Sequence, residues 1–296
     1  MSNEPTNAPV NWRIALKHGS SFAGISTSHL ELVGLEIMNV RSLKVFFFDL
    51  DGVLSVGKEK PHYLGGREVI ERLKKSGRKT FVLTNNSTQT RKELHRNLKR
   101  LGFMFDPEDI LTSSYLTAQY LTRTFGETRF CLVGEAGLRR ELEAAGHRES
   151  NKPQTVIVGL DRHLTYKKLD NALRFLRTGA ALVGTYGGAL YMSARGPALS
   201  AGPIVKALEF ASGKKAVMIG KPSPRMFYLA LRIAKERSSR AVMVGDQIET
   251  DVLGAQRAGV HTILVLSGVE TVETIAHSKV KPEVVIGNVD ALAAML

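Results

Sequence analysis

The 296-residue chain has a single cysteine, Cys131, and a single tryptophan. A lone cysteine excludes an intrachain disulfide and fits a reducing compartment, so a cytoplasmic location is expected. Its apolar neighbours Phe130, Leu132 and Val133 suit a buried strand thiol better than a reactive one. No apolar run approaches the ~18 residues that a membrane span needs, which removes the membrane as an expected partner. Zinc-finger spacing, an RNP-like aromatic motif and an arginine-rich tail are all missing, so the net charge of +13 has no recognised nucleic-acid module behind it. The basic residues are scattered, with one enrichment between Arg67 and Arg100 on segments that read as helices; a solvated face is the default there. Nucleic acid is therefore not expected as the main partner, and steering of small anionic substrates is the other use of the charge.

What is present is an ordinary globular composition, 43% hydrophobic and 23% charged, with length for about two domains. Residues 1–39 differ from the rest: prolines, asparagines and serines break any periodicity, and the stretch reads as a loose extension. It has no continuous apolar segment of the signal-peptide kind, and its glutamates argue against a transit peptide. Met38, just before the first strand, is a candidate start.

From there the pattern is strand, helix, strand, helix. Residues 45–48 are wholly apolar, as in a strand buried on both faces. A loop over 54–66 precedes a helix with Val69, Ile70 and Leu73 on one face and Gly77 as its stop. Residues 79–84 read as the next strand; Thr90 and Glu93 have capping-box spacing for a basic helix closed by Gly102. A short strand at 110–113 and a helix over 115–125 follow. A second α/β series then runs through strands at 130–133, 155–158 and 181–183 and helices at 138–145 and around Leu169, Leu173 and Leu176. Residues 217–219 read as the strand that returns the chain to the first sheet. Ser223 as N-cap and Pro224 at the first helical position open a further helix. Strands at 241–244, 261–266 and 284–286 complete the series. The expected fold is α/β: a Rossmann-like, doubly wound parallel sheet over 40–125 and 204–296, with an inserted α/β cap domain over 126–203.

Chemistry-bearing residues follow the strands. Asp49 and Asp51 stand at i and i+2 after the first, and Gly52 allows a tight turn near a ligand. Two carboxylates this close need a cation, a shared proton or both. Thr84, Asn85 and Asn86 follow the second strand, Lys221 another, and Asp246 and Asp251 the strand at 241–244. Strand carboxyl ends share one edge of a doubly wound sheet, so these groups can converge. Together they make up what phosphoryl transfer through an aspartyl intermediate requires: a carboxylate nucleophile, an acid for the leaving oxygen, a lysine and Mg²⁺ against phosphate charge, and hydroxyl and N–H donors.

The set Asp49-Leu50-Asp51-Gly52-Val53-Leu54, Thr84-Asn85-Asn86-Ser87-Thr88, Gly220-Lys221-Pro222-Ser223-Pro224 and Gly245-Asp246 through Thr250-Asp251 resembles the haloacid dehalogenase superfamily. With Val158-Gly159-Leu160-Asp161 and Leu164-Thr165-Tyr166 it is similar to the NagD-like and 4-nitrophenylphosphatase-like branch with a C2-type cap, over about residue 40 to the C-terminus. The resemblance implies a Mg²⁺-dependent phosphatase of small organic phosphomonoesters of the phosphoglycolate, sugar phosphate or nucleoside monophosphate class. It implies Asp49 as nucleophile and Asp51 as general acid, then base. It also implies the Thr84 hydroxyl and Asn85 backbone N–H as phosphate donors, with Gly52, Asn86 and Lys221 also on the substrate side. Asp49, Asp246 and the Asp51 backbone carbonyl would hold Mg²⁺, an oxygen-only set suited to a hard cation, with Asp251 orienting the site from behind. The branch usually carries Thr-Asn-x-Asp in its cap; here the matching stretch is Thr185-Tyr186-Gly187-Gly188. Tyr186 and Arg195 are the candidate substrate contacts of the cap, set against ordinary cap surface or packing. A homodimer is left open. The rival readings are a non-catalytic binding or scaffold protein on the same fold, and a nucleic-acid binder.

Overall fold

The computed structural model describes residues 38–57, 61–193 and 196–296 together with the backbone of 13–15. Along the chain the elements are β1 (Arg13–Ala15), β2 (Val45–Phe48), β3 (Ser55–Val56), β4 (His62–Tyr63), α1 (Arg67–Lys75), β5 (Lys79–Thr84), α2 (Arg91–Arg100), β6 (Ile110–Thr112) and α3 (Ser113–Phe125). The middle holds β7 (Arg129–Val133), α4 (Ala136–Ala144), β8 (Arg148–Glu149), β9 (Thr155–Val158), α5 (Tyr166–Arg177), β10 (Ala181–Gly184), β11 (Leu190–Ser193), β12 (Gly196–Leu199), α6 (Ala201–Ser212) and β13 (Val217–Met218). The chain ends with α7 (Pro224–Ala234), β14 (Ala241–Gly245), α8 (Leu253–Arg257), β15 (His261–Val265), α9 (Val272–His277) and β16 (Val284–Ile286).

Seven strands form one sheet in the order β1-β16-β15-β14-β2-β5-β6, every neighbouring pair parallel. Strand order reverses between β2 and β14, which opens a crevice at their carboxyl ends. The apolar run of β2 is explained by its two faces. Val45 and Phe47 join the cluster that includes Leu116 of α3 and Phe227 of α7. Phe46 and Phe48 join the cluster on the opposite face, with Ile70 of α1 and Leu94 of α2. Alternation along a strand sends successive side chains to opposite faces, so a strand covered on both faces has no polar position to spare.

A second parallel sheet runs β13-β10-β9-β7-β8, with α5 and α6 over a core that includes Val156, Leu176, Val205 and Leu208. Here the structure corrects the sequence reading. β13 does not return to the first sheet; Val217 and Met218 pair with Val183 and Gly184 of β10. α6 packs on the second sheet too, because Val205 and Leu208 bury against it. Residues 204–218, expected in the core, therefore sit on the inserted layer. The loop expected over 54–66 carries a two-stranded antiparallel hairpin, β3 with β4. A second hairpin, β11 with β12, stands where only a loop was expected. Within the 1–39 extension, residues 13–15 form the edge strand β1, Met38 packs at the margin of the core and the Asn39 side chain accepts from Arg41 N–H; the remainder lies outside the described residues.

Candidate active site

Asp49 is placed by the backbone bond from its N–H to Val244 O, 2.9 Å, which continues the β2–β14 pairing one step past β2. Gly52, at φ +86°, then turns the chain, and its N–H bonds Ser55 O at 2.8 Å. A side chain at 52 would meet the Asp246 carboxylate, since an added Cβ would lie 2.3 Å from Oδ2. Gly268 borders the same carboxylate from the loop after β15, where an added Cβ would lie 2.1 Å away. Val269 N–H donates to Asp246 Oδ2 at 3.0 Å. Asp246 Oδ1 is buried and has no hydrogen-bond partner.

Lys221 enters from the second sheet, three residues past β13. Its Nζ lies 2.7 Å from Asp49 Oδ1 and 2.6 Å from Asp251 Oδ1, with the side chain 2% exposed. Burial opposes the ammonium, but the Asp251 and Asp49 charges outweigh it and raise the lysine above its ordinary range. Its backbone is clamped by one side chain of the first sheet: Lys221 N–H donates to Asn85 Oδ1 at 2.9 Å, and Asn85 Nδ2 donates to Lys221 O at 3.1 Å. Asn85 thus works through its carboxamide, a role that the sequence reading assigned only to its backbone.

Asp251 stands closer to the chemistry than expected. Residues Ile248–Val252 form a π-turn instead of an ordinary first helical turn. The wider turn aims the carboxylate back under the strand end, where Oδ2 accepts from the N–H groups of Asp246 and Gln247, both at 3.2 Å. Gly245 makes room, since an added Cβ there would lie 2.3 Å from Asp251 Cβ. Asp49, Asp246 and Asp251 can each present an oxygen within 4.8 Å of the others, all buried. Burial, then repulsion from Asp251 and Asp49, raises Asp246 to about 8. Burial likewise raises Asp251, to about 6, with Lys221 pulling the other way. Three oxygens with one orphaned lone-pair set, and no soft donor, fit a hard divalent cation. The Asp51 carboxylate is not in this trio; its residue is half-buried and bridges Ser55 at the base of the β3–β4 hairpin.

The Thr84 hydroxyl accepts from Asn86 N–H at 3.2 Å, which leaves its own proton to give. The Asn86 side chain holds the loop rather than facing outward: Oδ1 accepts from Thr88 N–H at 2.9 Å and Gln89 N–H at 3.0 Å. The second sheet rests on this loop. Leu160 N–H donates to Ser87 Oγ at 3.2 Å, and Gly137 of α4 lies so close to Thr88 that a Cβ would sit 2.1 Å from its carbonyl oxygen. Tyr186 is half-buried in the loop after β10, and Arg195 lies outside the described residues.

A parallel sheet that opens at its switch point, with a buried Asp–Lys–Asp bridge and an unpartnered Asp246 oxygen there, is suited to an anionic ligand and a cation. Comparison with known proteins agrees. The family model described as "Haloacid dehalogenase-like hydrolase" matches residues 46–148, and a related HAD-hydrolase-like model matches 218–292. The chain belongs to the haloacid dehalogenase-like hydrolases. An acid sugar phosphatase of Staphylococcus aureus is 30% identical over 245 residues, covering 82% of this chain and 94% of its own. The crystal structure of a 4-nitrophenylphosphatase from Thermotoga maritima superposes with a TM-score of 0.81 at 32% identity, covering 86% and 98% of the two chains. A p-nitrophenyl phosphatase from Archaeoglobus fulgidus gives 0.81 at 30% identity, covering 86% and 99%. Within the family this chain is a phosphatase of the NagD and 4-nitrophenylphosphatase branch. No helix among the described residues is long and apolar enough to cross a membrane.

Proposed function

We propose that the protein hydrolyses small organic phosphomonoesters through an aspartyl phosphate on Asp49, with Mg²⁺ as cofactor, in the cytoplasm. The observation that carries this reading is the Lys221 ammonium held between Asp49 and Asp251 beside the unpartnered Asp246 oxygen. Asp49, Asp246 and the Asp51 carbonyl hold the cation, with Asp251 bracing them. When bound, the cation offsets phosphoryl charge. Lys221 holds Asp49 through their 2.7 Å ion pair and supplies positive charge to the transferring oxygens. The Thr84 hydroxyl and the Asn85 backbone N–H donate to the same oxygens, with Gly52 giving the turn its room.

The chemistry divides into two displacements. Asp49 forms a bond to phosphorus as the bond to the leaving oxygen breaks, and Asp51 gives that oxygen its proton. Asp51, now a base, takes a proton from water; the water oxygen bonds phosphorus, and the Asp49–phosphorus bond breaks to free phosphate. The division of the chain into a core and a cap over the second sheet belongs to the same proposal, the cap excluding bulk water above the leaving group. The sugar phosphatase and nitrophenylphosphatase relatives support small esters as the substrate class. The test is turnover of 4-nitrophenyl phosphate with and without Mg²⁺, in the native protein and in Asp49→Asn. Metal-dependent release of nitrophenolate that disappears in the variant supports the proposal; metal-independent release, or an Asp49→Asn variant at the native rate, contradicts it.

A further inference from the structure

One loop touches all three segments that carry the site's carboxylates. It runs from Leu266 to Thr271, between β15 and α9. The Ser267 hydroxyl donates to Gly52 O at 2.8 Å, in the turn that follows Asp49 and Asp51. Val269 N–H donates to Asp246 Oδ2 at 3.0 Å. The Glu270 carboxylate accepts from Ile248 N–H at 3.0 Å, at the first residue of the π-turn that carries Asp251. These partners lie 215, 23 and 22 positions away in the chain, so the contacts are made by the fold and not by local turn geometry.

Both stems of the loop are fixed. Leu266 N–H bonds Ile286 O at 3.0 Å, which carries the β15–β16 pairing one step past β15. At the other end Thr271 caps α9, and Ile275 of that helix is buried with Ile248 and Val252 of the π-turn. The second Glu270 oxygen accepts from the Thr274 hydroxyl at 2.6 Å, so α9 orients the carboxylate that Ile248 meets.

At Gly52 the serine bond sets a direction. A trans peptide unit is planar, with its C=O and N–H pointing opposite ways. The plane before Gly52 is held by Gly52 N–H on Ser55 O at 2.8 Å, and the plane after it by Ser267 on Gly52 O. With both planes held, φ and ψ at Gly52 are set, and the Asp51 carbonyl in the first plane has one direction. Glycine at φ +86° would otherwise leave that direction soft. At Ile248 the bond acts on the turn. The first N–H of the π-turn has no acceptor within the turn itself and finds one in Glu270. The turn thereby keeps the register in which Asp251 Oδ1 lies 2.6 Å from Lys221 Nζ.

We propose that Ser267 and Glu270 are positioning residues of the phosphoryl-transfer site: Ser267 directs the Asp51 carbonyl toward the cation, and Glu270 holds the π-turn so that Asp251 stays on Lys221. Each acts through another residue. The proposal rests on the reading of the site as a Mg²⁺-dependent phosphatase, and the measurements keep the two apart.

The full chain is stripped of metal with a chelator and compared as native protein, Ser267→Ala, Ser267→Thr, Glu270→Ala and Glu270→Gln. The Mg²⁺ dissociation constant is read from the rise of Tm with Mg²⁺ concentration, and kcat and KM for 4-nitrophenyl phosphate are read at saturating Mg²⁺. Ser267→Ala raises the dissociation constant about tenfold, and Ser267→Thr, which keeps the hydroxyl, restores it to within about twofold. Glu270→Ala lowers kcat about tenfold with KM nearly unchanged, and Glu270→Gln, which keeps an acceptor for Ile248 N–H, recovers most of the rate. A purely structural role would lower the metal-free Tm and leave the Mg²⁺ dissociation constant and kcat at their native values. That result overturns the proposal, as does a loss that threonine or glutamine fails to restore. A native protein that neither gains Tm from Mg²⁺ nor releases nitrophenolate sinks the underlying reading instead.

Discussion

The Lys221 ammonium and the Asp49 carboxylate are 2.7 Å apart although the lysine leaves the second sheet and the aspartate leaves the first. The charged pair therefore reports on how the two layers are held together. With Asp251 it forms a bridge in which one buried cation serves two buried anions. Breaking such a bridge from one side strands charge in a low-dielectric setting. Lys221→Met should lower stability by about 3–5 kcal/mol in chemical denaturation and remove phosphatase activity. A variant as stable as the native protein would mean that the bridge is open to water.

Asn85 joins the layers through two hydrogen bonds to the Lys221 backbone. Asn85→Ala deletes both and leaves two buried backbone groups short of a partner. It should cost roughly 2–3 kcal/mol and lower kcat/KM by about ten- to a hundredfold, since the lysine is then no longer fixed. Thermal denaturation and nitrophenyl phosphate turnover read the two effects separately. Asn85→Asp, which keeps the acceptor and loses the donor, should fall between.

Gly268 was not a candidate in the sequence, yet it borders the Asp246 carboxylate as closely as Gly52 does. Gly268→Ala pushes a methyl group against Oδ2 and turns the carboxylate away. The Mg²⁺ concentration for half-maximal activity should rise about tenfold or more, with the fold preserved, because carboxylate ligands are held to within a fraction of an ångström. Unchanged metal dependence would remove Asp246 from the cation site.

If Asp246 and Asp251 hold and brace the cation as proposed, metal binding should depend on pH. Their folded-state values, about 8 and about 6, lie above the ordinary carboxyl range. The folded, metal-free protein thus holds protons that the unfolded chain has already released. The contribution of these two groups to stability is greatest in acid and falls as pH rises from about 4 to about 8. A divalent cation displaces those protons, so its stabilising effect grows over the same interval. The shift in Tm on adding Mg²⁺ should be small near about pH 5 and large near about pH 8. A shift of equal size at both would contradict the assignment.

The alternation of layers was legible because apolar runs such as 45–48, 79–84 and 241–244 and stops such as Gly77 and Gly102 are local signals, and β2, β5 and β14 follow them closely. The capping box at Thr90 and Glu93 is likewise formed as its spacing predicts. What escaped was non-local. Three apolar residues before Lys221 announce a strand but not its partner, and the choice of β10 rests on pairing with residues more than thirty positions earlier. The Asn85 clamp spans 136 residues, and nothing near Asn85 in the chain marks it. The π-turn that swings Asp251 inward adds one residue to a helical turn, which periodicity over so short a segment does not resolve. Three of the four motifs follow β2, β5 and β14 of the first sheet, as expected; the fourth, with Lys221, follows β13 of the second sheet, and the loop 85–89 is the seam between the two.

The most direct test of the account is to catch the phosphoryl group on its carrier. The native protein is mixed with excess 4-nitrophenyl phosphate and Mg²⁺, quenched in acid within milliseconds, digested and read by mass spectrometry. The account predicts one added phosphoryl group on the peptide that contains Asp49, lost on exposure to hydroxylamine and missing in Asp49→Asn. Phosphate found on any other residue, or turnover with no labelled peptide from a variant engineered to stall the second displacement at Asp51, would contradict it.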